Sequence, residues 1–560
     1  MKRRYDLVVL GGGTAGLIAS LYAARVGARV ALVEQAEQPG GDCLFTGCIP
    51  SKSLIASAQR AHDMRTADRL GIQPSQPAID FARVMERVQA VIHRAGVRDT
   101  AEHLESEGVE VVRSFGRFAQ PGVIDADGRG LRYRAAIVAT GSRPAVPPIP
   151  GLADADFVTN ETVFELRELP AQLTVLGGGA MGCELGQAFV RLGSGVQIVE
   201  AEPTLLPAED REAGRFIGEA LAGEGAELHL GAPVSRVEPT GGAAGVLVAG
   251  NRRIEYRRLL VALGRAPASD GIGLEHVGVD VDERGFVKVD ARLHTTGDRI
   301  WAAGHAIGRM YFTHVAGHQG LTAMANALFR ARRSFDYSLV PRVTFTDPEV
   351  ASIGLSEAEA RERLGRDPLV LRHDYAESDR ALTAATARGF AKLVTGRRGR
   401  LLGATVVGPA AGESVAELAA LIRRRGTAAD LSQTIHAYPT YSEGPRPRRR
   451  AVVDLPLPDA RRAAPATAAA RDAARHRPPP RPHMSRLPSF ELDRLLAHGL
   501  AGEGRAHPAG REAVDSWLEA QARQSTRAPP ERGRSFAAPA LLRTGAPEPR
   551  RGRTRQRRAH

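Results

Sequence analysis

"YDLVVLGGGTAGLIASLYAARVGARVALVEQ", residues 5–35, opens with an apolar run rich in β-branched residues, halts at three glycines and continues in small and apolar residues. The first part suits a buried strand, the second a helix, and "ARVALVEQ" a second strand. Nearly the same order returns in "LTVLGGGAMGCELGQAFVRLGSGVQIVEAE", residues 173–202. The copies lie 166 residues apart, counted from Gly11 to Gly177. A duplicated strand–helix–strand unit predicts two doubly wound α/β domains.

Each copy carries G-x-G-x-x-G spacing: Gly11, Gly13 and Gly16 in the first, Gly177, Gly179 and Gly182 in the second. The first glycine allows the tight turn, the second lets backbone approach a pyrophosphate, and the third lets helix and strand pack closely. Each loop is answered by an acid at the end of the next strand, Glu34 and Glu200, both 23 residues after the first glycine. Such carboxylates accept hydrogen bonds from an adenosine ribose. Glu200, with Glu202 close by, would repel a 2′-phosphate, so the second site is expected to prefer NAD(H) to NADP(H).

Between the copies lies "GGDCLFTGCIPSK", residues 40–52, with two of the chain's three cysteines. Five residues along a regular helix separate Cα atoms by about 8–9 Å, beyond the ~4.4–6.8 Å a disulfide usually spans. Gly47 and Pro50 are expected to distort the chain there enough to bring Cys43 and Cys48 together. The residues alone leave three readings open: a redox pair, half a metal site, or two unrelated core thiols. No further metal ligands of suitable spacing are evident nearby. Two dinucleotide sites beside two thiols point to an electron path, in which a flavin carries a pair of electrons from a nicotinamide to sulfur.

The "GGDCLFTGCIPSK" segment closely resembles the redox motif of the flavoprotein disulfide reductases, the class I pyridine nucleotide-disulfide oxidoreductases that include dihydrolipoamide dehydrogenase and mercuric reductase. The resemblance runs over about residues 5–443. It includes "ATGSRP" at 139–144, "VALGRAP" at 261–267, "WAAGHAIGRMYFTHVA" at 301–316 and "VTFTDPEV" at 343–350. It implies an α/β fold of two Rossmann-like dinucleotide-binding domains and an α+β dimerisation domain. The expected FAD-binding domain is 1–147 with 265–335, the NAD(P)-binding domain 148–264, and the dimerisation domain 336–444. Cys43 would then be the interchange thiol, Cys48 the thiol against the flavin, and Lys52 the cation near flavin N5, paired with Glu184. Thr140, Gly141, Ser142, His305 and Ala316 would complete the FAD site with Gly11, Gly13, Gly16 and Glu34. Gly264 would join the NAD site. The implied activity passes electrons between NAD(H), FAD and the thiol pair in a homodimer serving cell redox homeostasis.

Three positions depart from the pattern. His305 stands where the family usually has an aspartate for the ribityl chain, so FAD binding is expected to be weakened. With His314 and His318 it also raises a metal site, which the resemblance disfavours. Ala180 replaces a tyrosine that covers the nicotinamide pocket in many relatives. Tyr438 occupies the position of the catalytic histidine, five residues before Glu443. A phenol titrates near 10, against about 6.5 for imidazole, and is a poor base at neutral pH. His436, two residues away and on the same side of an expected strand, reads as a bystander. Tyr438 resembles the mercuric reductases, yet no cysteine follows Cys183 to deliver a metal ion. Cys183 itself reads as a small packed residue. The acceptor is therefore a small disulfide or a thiol-reactive species, with mercuric-ion reduction or a catalytically impaired flavin-binding protein as alternatives.

Composition bounds the rest. Apolar residues make up 43% of 560, ample for several cores. No apolar run approaches the ~18 residues of a membrane span. The basic start is followed by too short an apolar run for a signal peptide, so the expected location is cytoplasmic. From Pro445 onward there are 25 Arg and 11 acidic residues, a net of +14 against +13 for the whole chain. The body therefore carries a net of −1 and gives no reason to expect nucleic acid or a membrane surface as partner. Residues 445–560, rich in Arg, Pro and Ala, are expected to be largely disordered, with a short helix near "SFELDRLLAHGL". The abrupt change after Glu443 reads as a fusion or a shifted frame; interleaved aromatics for a nucleic-acid arm are lacking.

Overall fold

The computed structural model describes residues 4–445. The expected tail and its short helix lie outside the described residues.

The first strand, β1 (Tyr5–Leu10), forms because its apolar side chains are all taken out of water; Leu7, Val8 and Val9 are fully buried. Burying one such side chain contributes about 1.5–3 kcal/mol. β1 is the centre of a sheet ordered β3 (Val109–Arg113), β2 (Val30–Glu34), β1, β6 (Arg129–Val138), β5 (Val123–Ala126), β4 (Gly116–Gln120). The β3–β2–β1–β6 part is parallel, and the strand Ile300–Ala302 joins it along the end of β6. β4 and β5 return antiparallel. Parallel strands of this kind are buried on both faces, which is why β1 and β2 read as continuous apolar runs.

Helix α1 (Thr14–Arg25) leaves the glycine loop and packs its small residues against the helix Thr313–Phe329. The fit depends on small side chains: a Cβ on Gly320 would lie 2.2 Å from the Ala15 carbonyl oxygen.

The second copy repeats the arrangement. Its five-stranded sheet has Gln172–Leu176 at the centre, flanked by Gly195–Val199 and Arg258–Val261 in parallel register. Loop and helix again follow the central strand, with Gly177 after Leu176 and the helix Ala180–Leu192 beyond. A three-stranded antiparallel sheet (residues 236–256) extends this unit. The last region is a five-stranded antiparallel sheet starting at Arg342–Thr344 and covered by the helix Ala411–Arg423. Ion pairs fasten it to the second unit: Lys392 with Asp210 at 3.1 Å and Glu212 at 2.8 Å, and Arg191 with Asp347 at 2.9 Å.

Candidate active site

Cys43 lies in the short helix α2 (Gly41–Phe45), and Cys48 opens the long helix α3 (Cys48–Arg65). The break between them is a fold-back at Gly47. The Thr46 N–H donates to the Asp42 carbonyl at 3.0 Å, and a Cβ on Gly47 would approach that same oxygen to 2.7 Å. A helix running through would have held the thiols apart; the break brings them close enough for each to shift the other's titration. Both are free thiols here. They share a proton unequally. The Cys48 thiol is lowered to about 6, first because Cys43 donates to it, then by the Thr313 hydroxyl and the Lys52 charge, against burial. Cys43 is held far above the usual thiol range, first by that same bond and then by burial. Cys48 is thus the thiol biased toward the thiolate, and its Sγ lies 3.2 Å from Thr313 Oγ1.

One turn further along α3, Lys52 Nζ donates to Glu184 Oε2 at 2.7 Å. Glu184, in the helix after the second glycine loop, is 6% exposed, and its other oxygen accepts from the Phe345 N–H at 2.9 Å. The Lys52 ammonium also sits 4.5 Å from the centre of the Phe345 ring. A buried carboxylate with both oxygens occupied fixes the ammonium in place.

The first glycine cradle follows β1. Gly11 has φ +100, and a Cβ there would meet the Ala139 carbonyl at 2.4 Å; one on Gly16 would fall 1.9 Å from the Gly11 carbonyl oxygen. Gly13 faces only Gly41, 3.9 Å from where its Cβ would be. Glu34 accepts from the Gly12 N–H at 2.5 Å and the Ala36 N–H at 2.8 Å, so it shapes the loop. Opposite lie Thr140, Gly141 (φ +77) and Ser142. Thr140 Oγ1 is buried with no hydrogen-bond partner, a cost that a bound group would relieve. Gly304, His305 and Ala316 border the same loop, Gly304 through Ala15 and Ala316.

The second cradle matches the first. Gly177 has φ +112, a Cβ on Gly182 would sit 2.0 Å from the Gly177 carbonyl oxygen, and nothing approaches Gly179. Glu200 accepts from the N–H of Gly178 at 2.6 Å and of Glu202 at 2.8 Å. Gly264 (φ +103) opens on free space across the loop. Ala180 is the first residue of the helix.

Comparison with known proteins resolves what this arrangement is. Residues 5–320 match the pyridine nucleotide-disulphide oxidoreductase family, and residues 340–448 match its dimerisation domain. The chain belongs to the pyridine nucleotide-disulphide oxidoreductases. It is 37% identical to a dihydrolipoyl dehydrogenase of Thermus scotoductus over 79% of this chain and 96% of that protein. It is 35% identical to a mercuric reductase of Streptomyces lividans, over 78% and 94%. Among solved structures, the HOCl-induced flavoprotein disulfide reductase RclA of Escherichia coli superposes with a TM-score of 0.71 at 30% identity, covering 78% of this chain and 98% of that one.

This oxidoreductase is therefore an FAD-dependent enzyme acting on sulfur with a nicotinamide partner. The first cradle fits FAD: two glycines that admit no side chain, an acid beside the glycine loop and the orphaned Thr140 hydroxyl. Among the described residues, no group of three or more His, Cys, Asp or Glu is placed to hold a metal ion, and no helix is long and apolar enough to cross a membrane.

The C-terminal residues of the oxidoreductase stand differently from expectation. Residues 435–440 form no strand, as Pro439 supplies no N–H to a ladder. Tyr438 is exposed and donates to Asp379 at 2.9 Å rather than to Glu443, and that carboxylate raises the phenol further. Glu443 instead accepts from the Thr440 N–H at 3.3 Å. His436 turns inward to Glu417 at 2.9 Å. Cys183 is fully buried and bonded to the Gly178 carbonyl at 3.3 Å, with its thiol raised by burial.

Sequence reasoning missed Asp42, Arg265 and Thr313. Arg265 forms an ion pair with Asp42 and donates to the Ser142 hydroxyl at 2.9 Å and the Ser142 carbonyl at 2.7 Å. It thus ties the redox helix to the "ATGSRP" loop. A charge directly before a redox cysteine and an arginine within a quoted motif were the available signals.

Proposed function

We propose that this enzyme passes two electrons between NAD(H) and a small disulfide through FAD and the Cys43–Cys48 pair. The observation that supports this most is the two neighbouring thiols, with one lowered to about 6, beside the Lys52–Glu184 pair. We assign 1–147 and 265–335 to FAD, 148–264 to NAD(H) and 336–444 to a homodimer contact, consistent with the dimerisation-family match.

In the reducing direction, Cys43 gives up its proton, with Cys48 sulfur the acceptor at hand, and attacks one sulfur of R–S–S–R. That step forms a mixed disulfide and releases RS⁻. Cys48 then passes that proton to the departed RS⁻, attacks the Cys43 sulfur as the thiolate, releases the second RS⁻ and closes the internal disulfide. FAD, when bound, relays the two electrons of NADH to that disulfide, so that R–S–S–R + NADH + H⁺ gives 2 RSH + NAD⁺. Lys52 stabilises the thiolate on Cys48. Gly11, Gly13, Gly16, Glu34, Thr140, Gly141, Ser142, His305 and Ala316 hold FAD; Gly177, Gly179, Gly182, Glu200 and Gly264 hold NAD(H). Glu200 and Glu202 disfavour a 2′-phosphate. Tyr438 and Glu443 face the acceptor, and a phenol in place of a base disfavours efficient lipoamide or glutathione turnover.

A thiol-reactive metal ion is the second reading, favoured by Tyr438 and by relatives named mercuric reductase. Anaerobic titration with NADH tests the scheme. A long-wavelength thiolate–flavin band that vanishes in Cys48→Ser supports it. A protein that takes up NADH electrons equally without Cys48 would overturn it. Acceptor assays with lipoamide, glutathione disulfide and Hg(II) then separate the two readings.

A further inference from the structure

A cavity of about 590 Å³ opens at the far end of the first sheet, lined by five arginines and one carboxylate. Arg134 comes from β6, Arg292 and Arg299 from the approach to the strand Ile300–Ala302, and Arg330 and Arg332 from the segment after the helix Thr313–Phe329. Arg134 precedes Ala139 by five strand residues, which puts the cavity about 16 Å from the glycine-loop end of the sheet. It is separate from both dinucleotide cradles.

Four of the five arginine charges are uncompensated among the described residues. Asp290 is the lone acid in the lining, and its Oδ1 already accepts from the N–H groups of Arg292 at 2.8 Å and His294 at 2.9 Å. Arg299 pairs with Asp298 at 3.4 Å. Among the described residues, the other four guanidinium groups have no ion-pair partner.

The walls are held in place from within. Asn326, 5% exposed, donates to the carbonyls of Arg292 at 2.8 Å and Arg333 at 2.9 Å and accepts from the Arg333 N–H at 2.8 Å. The Phe335 N–H reaches the Ala291 carbonyl at 2.9 Å. Two arginine-bearing loops are thereby fastened to each other and to the last turn of a helix. Three of the arginines, Arg299, Arg330 and Arg332, have φ of +59, +51 and +53. Glycine adopts that backbone at least cost, and at a helix C-terminus such as Arg330 it is the usual residue. Long cationic side chains stand there against the local preference. The ring of Trp301 meets that of His294 at 4.8 Å and closes one wall.

We propose that this cavity binds an oligophosphate, two or more linked phosphate groups, either free or as the tail of a nucleotide. Guanidinium forks match phosphate oxygens two at a time, and four unpaired cations call for more than one anionic group. The volume is that of a small-molecule site.

The site contains one of the chain's two tryptophans, Trp301; the other is Trp517. In full-length Trp517→Phe protein at about 150 mM salt, sodium tripolyphosphate should change Trp301 fluorescence saturably. Arg330→Gly/Arg332→Gly suits the left-handed backbone, so it removes charge without straining the fold. It should weaken binding at least about tenfold, since each charged hydrogen bond lost is worth roughly that factor. Tighter binding of ATP than of tripolyphosphate would identify a nucleotide; the reverse would identify a free oligophosphate. No saturable change, equal affinity in the double variant, or equally tight binding of orthophosphate would overturn the proposal.

Discussion

Lys52 Nζ and Glu184 Oε2 lie 2.7 Å apart, one in the helix that starts at Cys48 and the other in the helix that starts behind the second glycine loop. The two halves of the duplicated unit thus meet through an ion pair one turn from the thiolate. The pair has opposite effects on that sulfur: the ammonium lowers its pKa and the carboxylate raises it.

Those signs fix the first prediction. In the reduced protein the Cys48 thiolate, followed by absorbance near 240 nm, should appear as pH rises through about 6. Lys52→Met should move the inflexion up, and Glu184→Gln should move it down. Coincident titrations in all three proteins would show that the ion pair does not tune the thiol.

The second prediction separates the two cradles. Gly16→Ala places a methyl group 1.9 Å from the Gly11 carbonyl oxygen, and Gly182→Ala places one 2.0 Å from that of Gly177. Backbone cannot yield to such overlap without opening the loop. Gly16→Ala should be purified largely without flavin. Gly182→Ala should keep its yellow colour but raise the KM for NADH by about tenfold or more, the factor expected for losing a hydrogen bond to a charged phosphate. Flavin loss in both variants would mean that the second loop does not act independently.

Nucleotide preference supplies the third. Glu202 is exposed beside Glu200, and only its backbone N–H serves the loop. Glu202→Arg exchanges a repelling charge for a guanidinium without disturbing Glu200. The ratio of kcat/KM for NADPH over NADH should rise about tenfold, roughly the value of one charge-assisted bond. An unchanged ratio would place the 2′ position elsewhere.

The duplicated cradle was legible because its physics is local: three glycines, a strand before, a helix after and an acid at fixed spacing. The thiol pair was legible only through the family resemblance, since the residues alone left three readings open. Of the two expected breakers, Gly47 makes the break, while Pro50 sits in the first turn of the helix Cys48–Arg65, where a proline is tolerated. Residues that act across long sequence separations were not. Arg265 reaches Asp42 over 223 positions and Thr313 reaches Cys48 over 265, and no period or spacing encodes such meetings. The strand expected through His436 failed for a local reason, as Pro439 and the inward pull of Glu417 send His436 and Tyr438 to different partners. The arginine cavity went unread because its five arginines come from three separate segments.

Tyr438 leads to the fourth prediction. Its hydroxyl is committed to Asp379, which holds the phenol protonated through neutral pH. Tyr438→His would introduce a group that titrates near 6.5 and accepts protons at pH 7. Turnover with dihydrolipoamide should increase by about tenfold or more, at the lower edge of what a positioned base contributes. The pH profile should gain a limb with a midpoint between 6 and 7. A rise without that limb would point to a steric cause.

The fifth prediction concerns His305, the position from which weak flavin binding was expected. His305 Nδ1 lies 3.6 Å from Asp42 Oδ2, and Asp42 is paired with Arg265. A carboxylate therefore already stands at this edge of the cradle, brought in by α2 rather than by the strand Ile300–Ala302. Restoring the family's aspartate alone would set two carboxylates face to face, and one of them would have to protonate or swing away. His305→Asp should thus weaken FAD binding at least about tenfold, because like charges in contact are strongly unfavourable. Asp42→Asn/His305→Asp should recover it. Flavin-to-protein absorbance ratios and reconstitution of flavin-stripped protein, followed by flavin fluorescence, measure both without reference to turnover. Tighter flavin binding in His305→Asp alone would show that the two positions are uncoupled and that the histidine is a plain loss.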